Sequence, residues 1–110
     1  MEDSILVSIK KLLGITEDYN QFDTDIIIHI NTAFSILTQI GVGSDDGFYI
    51  TGSDEKWTEY LPQGARLELV KTYVYQKVKL MFDPPSSSAV MEAMNRSITE
   101  LEWRIYITVD

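Results

Sequence analysis

Met81-Phe82-Asp83-Pro84-Pro85-Ser86-Ser87-Ser88 separates two long segments of helical apolar periodicity and sets how the rest of the chain must fold. Pro84 drives Asp83 out of helical φ/ψ, and the paired prolines hold the following residues extended. The serines then offer side-chain oxygens to the free N–H groups of a new helix opening at Ser88 or Ala89. Asp83, Pro84, Pro85 and Ser88 therefore form an αα-corner.

Before the corner, the spacing predicts a helix over 65–82, with Leu67, Val70, Val74, Val78 and Met81 on its main face and Tyr73 and Leu80 beside them. After it, Met91, Met94, Ile98, Leu101 and Ile105 recur at 3, 4, 3 and 4 and predict a helix over 88–106. Glu92/Arg96 and Glu100/Arg104 are i,i+4 pairs in the favourable direction, each adding ~0.3 kcal/mol.

Two more helices precede these. Asp3 or Ser4 caps a short one with a stripe of Ile5, Leu6, Ile9, Leu12 and Leu13, ended by Gly14. Asp23 or Thr24 opens the next, whose stripe is Ile26, Ile30, Ala33, Leu37 and Ile40, with Gly41 just beyond its end. Ile27, Phe34 and Ile36 widen that stripe, while Ile28 points away. Between 41 and 64 lie five glycines and Pro62. A wholly structureless stretch of that length is uncommon, so Phe48–Thr51 is expected as a small extended piece or hairpin and Asp54–Leu61 as a short helical turn. The predicted fold is all-α: one four-helix domain over residues 1–110 with an irregular 41–64 loop.

Composition bounds the function. At 45% hydrophobic residues the chain can build an ordinary globular core. No apolar run approaches the ~18 residues of a membrane span. Met1-Glu2-Asp3 is unlike the basic start of a secretory signal, and the expected setting is cytosolic. The absence of cysteine excludes disulfides, thiolate nucleophiles and cysteine-based zinc sites. A net charge of −8 disfavours gripping nucleic acid through its phosphates.

No constellation of catalytic residues emerges. His29 is the sole histidine, with no marked nucleophile or orienting carboxylate, and reads as a part-buried residue with a hydrogen-bond partner. Asp45-Asp46-Gly47, with Asp54 and Glu55 beyond, lacks calcium-loop spacing and reads as a polar turn. Arg66, Lys71, Lys77 and Lys79 spread around their helix and read as stems flanking an apolar stripe. No enzyme, cofactor or metal site is predicted. Trp103 projects away from the Met94–Ile98–Leu101 stripe, and residues 105–109 are apolar on too many sides for a free helix end. Candidate protein contacts are therefore Phe48, Tyr49, Ile50, Trp57, Trp103, Tyr106 and Ile107, with the charged flank of the third predicted helix.

The stretch from Leu80 to Arg96 around the corner, Glu100-Leu101-Glu102-Trp103-Arg104, and Asp23-Thr24-Asp25-Ile26-Ile27-Ile28-His29-Ile30-Asn31 running to Gln39-Ile40-Gly41-Val42-Gly43 together resemble the small head–tail connector proteins of long-tailed phages and prophages. The resemblance implies a non-enzymatic helical adaptor of the virion, made in the host cytoplasm. It implies a ring beneath the portal protein, self-associated only on that template in some members, extending the DNA channel and docking a stopper or tail-completion protein. DNA would pass nearby without sequence-specific binding, and no membrane is involved. The rival expectation is a helical interaction adaptor or antitoxin-like partner unrelated to virions.

Overall fold

The computed structural model describes residues 3–43, 46–61 and 67–107, which carry five helices: α1 (Ile5–Leu12), α2 (Asp23–Ile40), α3 (Trp57–Tyr60), α4 (Leu67–Phe82) and α5 (Ser88–Ile107). The fold is all-α. The four long helices are those the periodicity predicts, and α3 is the anticipated turn within 54–61. Among the described residues no strand or hairpin forms, because Ile50 takes its hydrogen bonds from a helix side chain rather than a partner strand. An isolated antiparallel bridge joins Ser4 and Lys56. Ala65 and Arg66, Asp45, Pro62, and Thr108 with Val109 lie outside the described residues.

The helices form a layered stack in which α1 packs on α2, α2 on α4 and α4 on α5, with α5 also reaching α2. Ile26, Ile30, Ala33 and Leu37 of α2 are buried as their spacing requires, and they meet Val70, Val74 and Val78 of α4 in one core. Gly41 ends α2 at φ 109°, a left-handed conformation in which its N–H bonds back to Leu37 O.

α1 departs from the expected stripe. Ser4 caps it, its Oγ accepting from Val7 N–H at 3.3 Å while its hydroxyl donates to Ser53 O at 2.8 Å. Leu12 is exposed, and Lys10, on the opposite flank of the apolar arc, is buried instead. The reason is electrostatic: Lys10 Nζ lies 2.9 Å from Asp23 Oδ1 and also donates to Glu17 O at 3.0 Å. Asp23 is thus the first residue of α2 rather than its cap. Its carboxylate serves Lys10 while remaining in the helix's acidic first turn, where the dipole favours it.

The 46–61 segment is ordered by polar side chains. Asn31 of α2 accepts from Ile50 N–H at 2.7 Å and donates to Ile50 O at 3.0 Å, acting as a surrogate strand. Glu55 accepts from the Thr51 hydroxyl and N–H and from Gly52 N–H. Ile5 N–H donates to Glu55 O and Trp57 N–H to Asp3 O, which docks this segment on the start of α1. Trp57 Nε1–H then donates to Ser8 Oγ at 2.8 Å. Phe34, Phe48, Trp57 and Tyr60 close the end of the core as an aromatic cluster, with Phe34–Tyr60 centroids 4.5 Å apart.

Candidate assembly surface

The corner defines where α5 lies. Lys79 Nζ clamps Asp83 at 2.8 Å as α4 ends at Phe82. Ser87, rather than Ser88, caps the next helix: its Oγ accepts from Val90 N–H at 3.4 Å and its carbonyl from Met91 N–H. Besides apolar packing, a polar contact fixes the register of α5 against α4. The Tyr73 hydroxyl, fully buried, donates to Glu102 Oε2 at 2.7 Å.

So held, α5 buries little of itself. Ile98 and Ile105 are enclosed, whereas Met91, Met94 and Leu101 are half-buried. The outward face carries Val90, Trp103, Tyr106 and Ile107, with Trp103 61% and Ile107 57% exposed. Trp103 and Tyr106 rings sit 6.0 Å apart and form one aromatic ridge near the helix end. Glu92, Asn95, Arg96, Thr99, Glu100 and Trp103 line an open, shallow trough along the same face. The Glu92–Arg96 and Glu100–Arg104 pairs form as their spacing predicts, at 3.9 and 3.4 Å. All four side chains are well exposed, so these pairs hold little and can exchange partners.

The candidate contact residues separate into two groups. Trp103, Tyr106, Ile107 and Tyr49 stand in solvent, Tyr49 at 69% exposure. Ile50 and Trp57 are buried in the core and cannot meet a partner in this conformation, a correction to the sequence expectation. Trp57's role is internal: it meets the Phe34 ring edge to face, bonds Ser8 and lies under Lys71, whose Nζ is 5.8 Å from the ring centroid. Phe48 is half-buried between Phe34 and Tyr60. Of the basic residues on α4, Lys71 approaches Glu68 and Lys79 holds Asp83.

The opposite end of the stack also presents apolar surface. Val7, Lys11, Gly14, Ile15, Thr16 and Glu17 line a groove of about 430 Å3, with Leu12 exposed beside it. Sequence reasoning did not single out this groove, nor Lys10, Asn31 and Glu102. Lys10 had a visible signal in its place on the apolar arc between Leu6 and Leu13; the others depend on tertiary neighbours.

His29 is half-buried and meets the Phe82 ring at 6.4 Å, where a hydrogen-bond partner was expected. Among the described residues no cluster of three potential metal ligands forms, and no helix is long and apolar enough to cross a membrane. Glu55 shows the electrostatics of a structural carboxylate. Burial pushes its pKa up, but hydrogen bonds from the Thr51 hydroxyl and from backbone N–H groups outweigh that and hold it below its ordinary value.

Charge is unevenly divided. Residues 1–60 contain eleven of the seventeen acidic residues but three of the nine basic ones, so the whole net charge of −8 falls there and residues 61–110 balance to zero. The excess sits in the segments that flank and follow α1 and α2, since Lys10 and Lys11 of α1 offset Asp23 and Asp25 of α2.

In comparison with known proteins, the model of the phage connector protein family matches residues 5–110. No curated protein and no solved structure matches the chain.

Proposed function

This chain belongs to the phage connector protein family, a family of structural virion proteins rather than enzymes, and from that membership we propose that it is a head–tail connector assembling as a ring beneath the portal. In this role it extends the DNA channel and offers a platform to a stopper or tail-completion protein. The family match over nearly the whole chain carries the reading. The exposed aromatic ridge of α5 supports it, because one small domain with its own closed core has no internal use for that surface. The net charge of −8, all of it within residues 1–60, suits a passage through which DNA slides without adhering.

The test is electron microscopy of the full chain mixed with purified portal from the same phage. A collar of added density on one end of the portal, dependent on this protein, is the expected result. A discrete dimer or heterodimer with no affinity for portal would instead favour the helical-adaptor alternative and overturn the connector role.

A further inference from the structure

Both end layers of the α1–α2–α4–α5 stack leave apolar groups outward, and the two ends differ in shape. α5 offers a ridge, Trp103 and Tyr106, while the α1 end offers the groove between Val7 and Ile15. Two different surfaces that fit each other give a head-to-tail contact, which closes into a ring when the rotation per copy is right. Charge adds to the match. Lys11 and Glu17 stand at the groove, one cation and one anion, and Lys11 makes no ion pair with a described residue. Glu100 and Arg104 flank Trp103 on α5, paired with each other across 3.4 Å among the described residues and exposed enough to switch.

Resting on the connector reading, we propose that the neighbour in the assembly is a second copy of this chain, with Trp103 of one copy seated in the Val7–Ile15 groove of the next. Docked this way, Glu100 meets Lys11 and Arg104 meets Glu17. The Lys11 ammonium also comes within reach of the indole face, where a cation is favoured. Each copy uses its α5 once and its α1 end once. The face between these two contacts stays free for portal and tail-side proteins.

The natural chain has no cysteine, so engineered thiols report on the contact cleanly. Lys11→Cys and Glu100→Cys single variants, mixed and assembled on portal under mild oxidation, should give cross-linked dimers. Either variant alone should give none. A cross-link in one variant alone would mean a two-fold contact and would overturn the proposal. Collars that form without any cross-link in the mixture would do the same while leaving the connector role intact. Failure of the unmodified chain to join portal at all would remove both.

Charge reversal supplies a second readout. Lys11→Glu should weaken collar formation ~5–10-fold, and Lys11→Glu with Glu100→Lys should recover most of that loss. Equal weakening in the double variant would count against the pairing. Trp103→Ala, at an exposed site, should keep its melting temperature and lose collar formation. Thr16→Trp, which fills the groove from an exposed position, should do likewise. If Trp103→Ala instead still forms collars, or fails only in binding a single copy to portal, the ridge faces portal and the neighbour assignment is wrong.

Discussion

Tyr73 and Glu102 join α4 to α5 by an O–H···O bond of 2.7 Å, the phenol fully buried and the carboxylate half-buried. Burial pushes the Tyr73 phenol well above its ordinary value of 10.0, and the bond and charge of Glu102 push the same way. Above pH 10 the unfolded chain therefore releases a proton that the native state keeps, so stability falls as pH rises. The slope from this group is at most ~1.4 kcal/mol per pH unit. Tyr73→Phe should flatten that part of the alkaline limb in urea titrations between pH 9.5 and 11. At neutral pH it should lower stability by ~1–2 kcal/mol, since Glu102 loses its donor.

Lys10 is enclosed beside a partly exposed Asp23. Lys10→Met should destabilise the fold by ~2–3 kcal/mol, because the aspartate then faces an apolar wall without its cation. Lys10→Met with Asp23→Asn should cost less than Lys10→Met alone. Denaturant midpoints of the three proteins check this order.

Asn31 satisfies both backbone groups of Ile50, a residue with no strand neighbour among the described residues. Asn31→Ala should lose ~1–3 kcal/mol and, more specifically, release the Ile50 amide to rapid hydrogen exchange while amides in the middle of α4 stay protected. Uniform acceleration across the molecule would show that Asn31 acts globally instead.

Glu55 has a folded pKa below its ordinary 4.5. Its contribution is therefore present above that value and is lost as pH falls through the lower folded value. Glu55→Gln should lower stability at pH 7 and reduce the acid dependence below pH 4.5, measured as the change in melting temperature across pH 3 to 6. The Thr51 amide should be the reporter that shifts most in NMR spectra, since its N–H and hydroxyl both reach the carboxylate.

The fold was legible where a single helix carried its own signal. Ser4, Gly14 and Gly41 mark ends through local backbone chemistry, and the Asp83-Pro84-Pro85 corner separates α4 from α5 whatever lies around it. The 4-3-4 spacing of Ile26, Ile30, Ala33 and Leu37 and the 4-4 spacing of Val70, Val74 and Val78 marked the core. Legibility stopped where two distant segments decide a residue's fate. Trp57, expected as a partner contact in an irregular loop, is enclosed because Ser8, 49 residues earlier, accepts its N–H and Phe34 packs against its ring. Leu12 looked buried on spacing alone, until the Asp23 carboxylate drew Lys10 inward in its place. For the candidate surface, Trp103, Tyr106 and Ile107 were visible as apolar residues off the core stripe. The α1 groove was not, since it arises only when the chain after Gly14 folds back along α1.

The uneven division of charge along the chain, with the whole excess in residues 1–60, gives the molecule an electric dipole. Such a body is turned by a field before it touches anything, so its first encounters with a charged neighbour are not random in orientation. At physiological salt this alignment operates only over the last ~8 Å of approach. Added salt should then slow arrival more than it shortens residence, because burial of the aromatic ridge is indifferent to ionic strength and only the proposed ion pairs at its rim are screened.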